Sequence, residues 1–197
     1  MQSHGVRLDP LPLDDHRDRW LTAGIPGEQI DRVVRFEARW GGLTLPPSPA
    51  YDGGPRYLSA DVPTSEPGVG WCFEAGVQRT AVPFSFVIGP GDEFGLYGGS
   101  WVPLHASIEG WIESIALAHH ASIRADTIKV VRGIAVDELD LDGFEEIAEV
   151  RGLRDTWWRG TDSLVAVFHG EAEAWGRPAA VKAVIYSGLD EWGLPSD

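Results

Sequence analysis

The chain has 197 residues, 43% of them hydrophobic and 23% charged, with 30 acidic residues against 16 basic ones and a formal net charge of −14. That length and apolar content support one packed domain and exclude wholesale disorder, while the negative field repels phosphate backbones and argues against a direct nucleic-acid binder. No apolar run approaches the roughly 20 residues that span a bilayer, and no basic start precedes an apolar block at the N-terminus, so a cytoplasmic protein without membrane contact is expected.

Taken in chain order, the first helical signal runs from Asp14 to Leu21, with acidic residues at its start. A second lies in "GIPGEQIDRVVRFEARWGG". Pro26 suits a first helical position, Ile30, Val33 and Val34 share a face, and Gly41-Gly42 stops the helix. Residues 43–69 are rich in proline, glycine and serine and read as an ordered loop anchored by Tyr51 and Tyr57.

Strands are predicted at "RYLSADVP" (56–63), "GWCFEAG" (70–76) and "PFSFVIG" (83–89). Two more flank Gly98-Gly99 in "PGDEFGLYGGSWVPL", which completes an antiparallel meander. Cys72, the only cysteine, permits no internal disulfide and reads as a small buried hydrophobe. Ser107 then caps a helix with Glu109 in its first turn, where the dipole favours negative charge. Its apolar stripe is Ile108, Trp111, Ile112 and Ile115; the next step falls on His119, and His120 turns away.

Residues 1–125 therefore read as a core unit, with 126–197 as an extension packed on the same domain. "TIKVVRGIAV" (127–136), "SLVAVFHGEAEAW" (163–175) and "AAVKAVIYSGL" (179–189) resemble strands, the last two joined by the Gly176-Arg177-Pro178 turn. Between them lies the strongest non-random feature. Asp137, Glu138, Asp140, Asp142, Glu145, Glu146 and Glu149 form a part-helical segment that no Lys or Arg interrupts. Leu139, Leu141, Phe144 and Ile147 are interleaved, which predicts an element docked by one side and charged on the other.

Arrangements that would carry catalysis do not assemble. There is no His-Glu-x-x-His, and His119 and His120 project about 100° apart on a helix, a poor geometry for one ion, so no metal or cofactor is expected. The glycine-rich stretches lack the order of a phosphate-binding loop and read as hairpin turns. No G-x-S-x-G elbow is present, and the paired carboxylates read as solvated surface. The nine tryptophans, including Trp157-Trp158, read as core or loop anchors.

A family resemblance rests on two stretches. In "FEARWGGLTLP" (36–46) an amphipathic helix ends at glycines before a Leu-Pro stretch, with Phe36, Trp40, Gly41, Gly42, Leu43 and Pro46 in the motif positions. In "GLYGGSWVPLHASIEGWIESIAL" (95–117) a strand with a Pro-Leu pair enters a capped helix, through Trp101, Pro103, Leu104, Ser107, Trp111 and Ile112. Over roughly residues 14–121 the chain resembles the SUKH superfamily, which includes Smi/Knr-type proteins and bacterial immunity proteins.

The resemblance implies an α+β fold with a curved, mostly antiparallel sheet flanked by helices. It also implies a non-enzymatic protein-binding role, with no catalytic residues to carry over. The expected partner is another protein, such as a basic nuclease toxin, met by the acidic surface. A regulatory or scaffolding adaptor is the alternative, and an enzyme using His105 with a carboxylate is the third.

Overall fold

In the computed structural model, which describes residues 7–189, the first helical signal becomes a 3-10 turn at Leu13–His16 and helix α1 (Arg17–Thr22). Helix α2 (Gly27–Trp40) follows and buries Ile30, Val33 and Phe36. Pro26 sits one place earlier than predicted, as the N-cap, because its ψ of 139° is extended. Glu37 is buried on the same helix. It is satisfied by accepting the backbone N–H groups of Leu11 and Ala60, which ties the N-terminal segment and the following loop to α2. At the helix end Gly42 adopts φ 77°, and a Cβ there would overlap the carbonyl of Leu8. Only glycine fits this left-handed, crowded corner.

The meander supplies β1 (Pro55–Leu58), β2 (Thr64–Glu66), β3 (Gly70–Glu74), β4 (Gly76–Gln78), β5 (Ser85–Ile88), β6 (Phe94–Tyr97) and β7 (Trp101–His105). β1 and β4 form a separate ribbon, and the others form a sheet in the order β2-β3-β5-β6-β7. Pro103 lies in β7, an edge strand, where its missing N–H costs no internal ladder bond. Cys72 is buried and free, as its strand pattern implies.

Helix α3 (Ile108–Arg124) starts at Ser107, whose hydroxyl accepts the Gly110 N–H at 3.4 Å. Its buried stripe is Ile108, Trp111, Ser114, Ile115, Ala118 and Ala121. His119 is exposed, which corrects the sequence reading: the stripe steps through Ala118 to Ala121 and leaves position 119 outside.

A second sheet comes from the C-terminal third: β8 (Thr127–Arg132), β9 (Glu145–Glu146), β10 (Asp155–Arg159), β11 (Ser163–Phe168) and β12 (Lys182–Ser187), in the order β8-β12-β11-β10-β9. The short helix α4 (Gly170–Ala174) follows β11, whereas the sequence pattern predicts a strand through Trp175. Every pairing among the named strands is antiparallel, and the class is α+β, as expected.

"LVAVF" in β11 is apolar throughout because its sheet is covered on both faces. Leu164, Ala166 and Phe168 face the main core with Trp111, Ile115 and Phe94, whereas Val165 and Val167 face a second apolar cluster. The main core thus draws on both sides of residue 125. Trp157 and Trp158, adjacent in β10, divide between the two clusters in the same way.

The acidic segment closes the second face. It holds no α-helix: a 3-10 turn at Gly133–Val136, irregular chain, the short β9 and a second 3-10 turn at Ala148–Val150 replace the part-helical form predicted. Leu139 and Leu141 are two apart and Gly143 has φ 84°, so a helical period is neither set nor sustained.

Candidate functional site

Three places hold side chains capable of recognition or proton chemistry. The acidic segment is the first. Val136, Leu139, Leu141 and Phe144 pack on Val165, Val167 and Ala183, the outer face of the second sheet. Asp137, Glu138, Asp140, Asp142, Glu145 and Glu149 are exposed, and Glu146 is half-buried. The predicted two-sided element is present, although it is built from turns. Two carboxylates are paired, Glu145 with Arg159 at 3.5 Å and Glu146 with Arg151 at 3.6 Å; Asp140 accepts the Asp142 N–H, which fixes the turn. The rest project as a ridge whose base is held by about the burial of four apolar side chains, each worth on the order of 1–2 kcal/mol when partly covered.

The second place is interior. His105, at the end of β7, and Asp155, at the start of β10, are each 1% exposed, with His105 Nε2 and Asp155 Oδ2 facing each other across 4.0 Å. That is beyond hydrogen-bond range. The Tyr51 hydroxyl donates to Asp155 Oδ1 at 2.5 Å and accepts the Gly170 N–H at 3.3 Å. Glycines make room for the imidazole: a Cβ at Gly152 would stand 3.1 Å from Nε2, and one at Gly110 3.3 Å from Nδ1.

Both ring nitrogens, Asp155 Oδ2, Trp111 Nε1 and Trp157 Nε1 make no hydrogen bond among the described residues. Burial pushes the Asp155 carboxyl up to about 7, partly offset by its bonds from Tyr51 and the His169 backbone, with Glu171 adding to the rise. Burial alone pulls His105 down to about 4. At neutral pH the imidazole is therefore uncharged, and Asp155 keeps its proton to far higher pH than an exposed aspartate does. No substrate reaches either group unless the two sheets part.

Concave surface forms the third group. A cleft of about 970 Å³ opens beside the β1–β4 ribbon between Tyr57, Gln78, Phe84 and Tyr97, with Asp61 and Glu74 on its wall and no cationic side chain among its lining residues. Glu74 accepts from the Ser85 hydroxyl at 2.6 Å. A second cleft of about 480 Å³ runs under α2 past Arg32, Arg35 and Arg39. Two of these three charges are paired within the chain. Arg32 bonds Asp92 and the Gly89 carbonyl, and Arg39 pairs with Glu109 at 3.0 Å.

The motif residues behind the SUKH resemblance are placed as framework. Phe36 packs edge-on to Phe73 at 5.3 Å, Leu104 and Trp111 are fully buried, and Trp111 meets the Phe94 ring at 4.9 Å. Trp40, Leu43, Pro46, Trp101, Pro103 and Ile112 are half-buried around them. Sequence reasoning reaches Tyr51 only as a loop anchor and misses its pairing with Asp155, because the 104-residue separation hides that the anchor is a carboxylate. Among the described residues no group of three or more His, Cys, Asp or Glu could hold a metal ion, and no helix is long and apolar enough to cross a membrane. Comparison with known proteins finds no matching family, no matching curated protein and no matching solved structure.

Proposed function

We propose that this protein is a non-enzymatic binding module that presents the Asp137–Glu149 ridge to a basic macromolecule, in the manner of a SUKH-like immunity protein masking a toxin such as a nuclease. One observation carries the reading. The ridge is seated on the sheet through Val136, Leu139, Leu141 and Phe144, so its carboxylates are held in place before any partner arrives. Preorganised charge lowers the ordering cost of association, and a net charge of −14 speeds encounter with a cation-rich surface.

The cleft carrying Asp61 and Glu74 extends the same sign of charge to another face. Burial of His105 and Asp155 also favours binding over turnover, since a general acid or base must reach its substrate.

The test is capture of basic proteins on the immobilised chain, followed by titration of the captured partner against a variant with Asp137, Glu138, Asp140, Asp142 and Glu149 changed to their amides. The expected result is an affinity that falls steeply with salt and by at least about tenfold in the variant. Binding indifferent to both salt and these substitutions would overturn the proposal.

A further inference from the structure

β8 is an edge strand: β12 pairs along one side of it, and no described strand pairs along the other. Its register sets Ile128 opposite Tyr186 and Val130 opposite Val184, on the sheet face that elsewhere fills the main core. Yet Ile128 is 47% and Val130 49% exposed, and Ile123 near the end of α3 is 70% exposed. An open groove of about 250 Å³ separates the strand from α3 and the loop above it, lined also by Pro47, Pro49, Ala118 and Ser122.

The charge here is opposite to that of the molecule. Lys129 and Lys182 are the only lysines in the chain, and both lie at this edge with Arg132. Acids outnumber bases 30 to 16, but none of these three cations has a carboxylate ion-pair partner among the described residues. Lys182 lines the groove and donates to the Pro49 carbonyl; burial, and then the Arg132 charge, lower its pKa, against a smaller opposing pull from Glu171 and Asp52, neither of which is within ion-pair distance. An incoming carboxylate would relieve that cost.

We propose that β8 is a docking edge for an extended acidic segment of a partner protein, which joins the sheet as an added strand. Alternation decides what fits. Residues of the segment on the groove side are apolar, to cover Ile128 and Val130. Those on the other face carry carboxylates toward Lys129, and a further carboxylate reaches Arg132 and Lys182 at the strand's end. A second copy of this chain is the poorer occupant, because antiparallel self-pairing of β8 sets one basic edge against another.

The probe is a synthetic octapeptide of alternating glutamate and valine, compared with its lysine–valine counterpart, followed by amide hydrogen exchange. The expected result is protection of Thr127–Arg132 by the glutamate peptide alone, weakened by salt, with affinity lower by about tenfold in a Lys129→Glu/Arg132→Glu variant whose circular dichroism is unchanged. Equal binding of both peptides, or no protection of β8 by either, overturns the proposal. Self-association that Val130→Lys abolishes would assign the edge to a second copy and also overturn it.

Discussion

Replacing Asp155 by asparagine tests the interior pair by the sign of its effect. In the folded chain the carboxyl titrates at about 7, against 3.8 in the unfolded chain. Its contribution to stability is therefore fully present below pH 3.8 and is lost as pH rises through about 7. The difference between the two states corresponds to about 4 kcal/mol. His105 runs the other way. Its pKa falls from 6.5 to about 4, so its contribution is present above pH 6.5 and is lost as pH falls through about 4, by about 3 kcal/mol.

Between pH 4 and 6.5 the unfolded chain holds one proton on the histidine, and the folded chain holds one on the aspartate. Proton counts match, the two slopes cancel, and the pair leaves stability flat across that window. Asparagine preserves the acceptor for Tyr51 and mimics the neutral acid at Oδ2. Relative to the wild type, Asp155→Asn should gain stability as pH rises from 3.8 to about 7, approaching 4 kcal/mol, and should expose the His105 decline below pH 6.5. Urea unfolding at a series of pH values, followed by the fluorescence of the buried Trp111 and Trp157, reads both slopes. A loss of about 3–5 kcal/mol above pH 7 would instead mean that Asp155 and a protonated His105 form a buried ion pair, and would refute this reasoning.

Phe144→Ala should cost about 1–2 kcal/mol in urea unfolding, less than a fully buried phenylalanine because the ring is half-covered, and should raise hydrogen exchange along residues 137–146. Gly42→Ala should lower stability by more than about 1 kcal/mol in the same assay, since φ 77° and the Leu8 carbonyl both resist a Cβ.

Local chemistry made part of this structure legible. Ser107 reads as a cap because its hydroxyl precedes an apolar period, and it caps. The interleaved leucines of 137–149 reveal a docked underside even though the backbone there is not helical. β10 was not predicted, since "DTWWR" pairs two bulky rings between charges and shows no alternation. It is a strand all the same because Trp157 and Trp158 each find an apolar cluster on opposite faces of one sheet. Asp155 carries no local sign of burial. What makes it an interior residue is a tyrosine contributed by a loop far upstream and a strand layer that closes over both. Sequence read in windows sees propensity and period; it does not see which distant phenol meets which carboxyl.

The reach of Tyr51 has a consequence for how the chain is made. Its hydroxyl binds residues 104 and 119 positions downstream, and its ring lies 6.1 Å from Phe168. While the polypeptide leaves the ribosome, the helices and first sheet emerge with the Tyr51 and Trp111 rings waiting for a wall not yet synthesised. β12, the last of the described strands, completes that wall, so the nascent product passes through a long interval with this apolar surface open. Demand for chaperone protection should therefore be concentrated between the emergence of Trp111 and that of β12, and a ribosome that stalls before Tyr186 would release a sticky, unfinished chain.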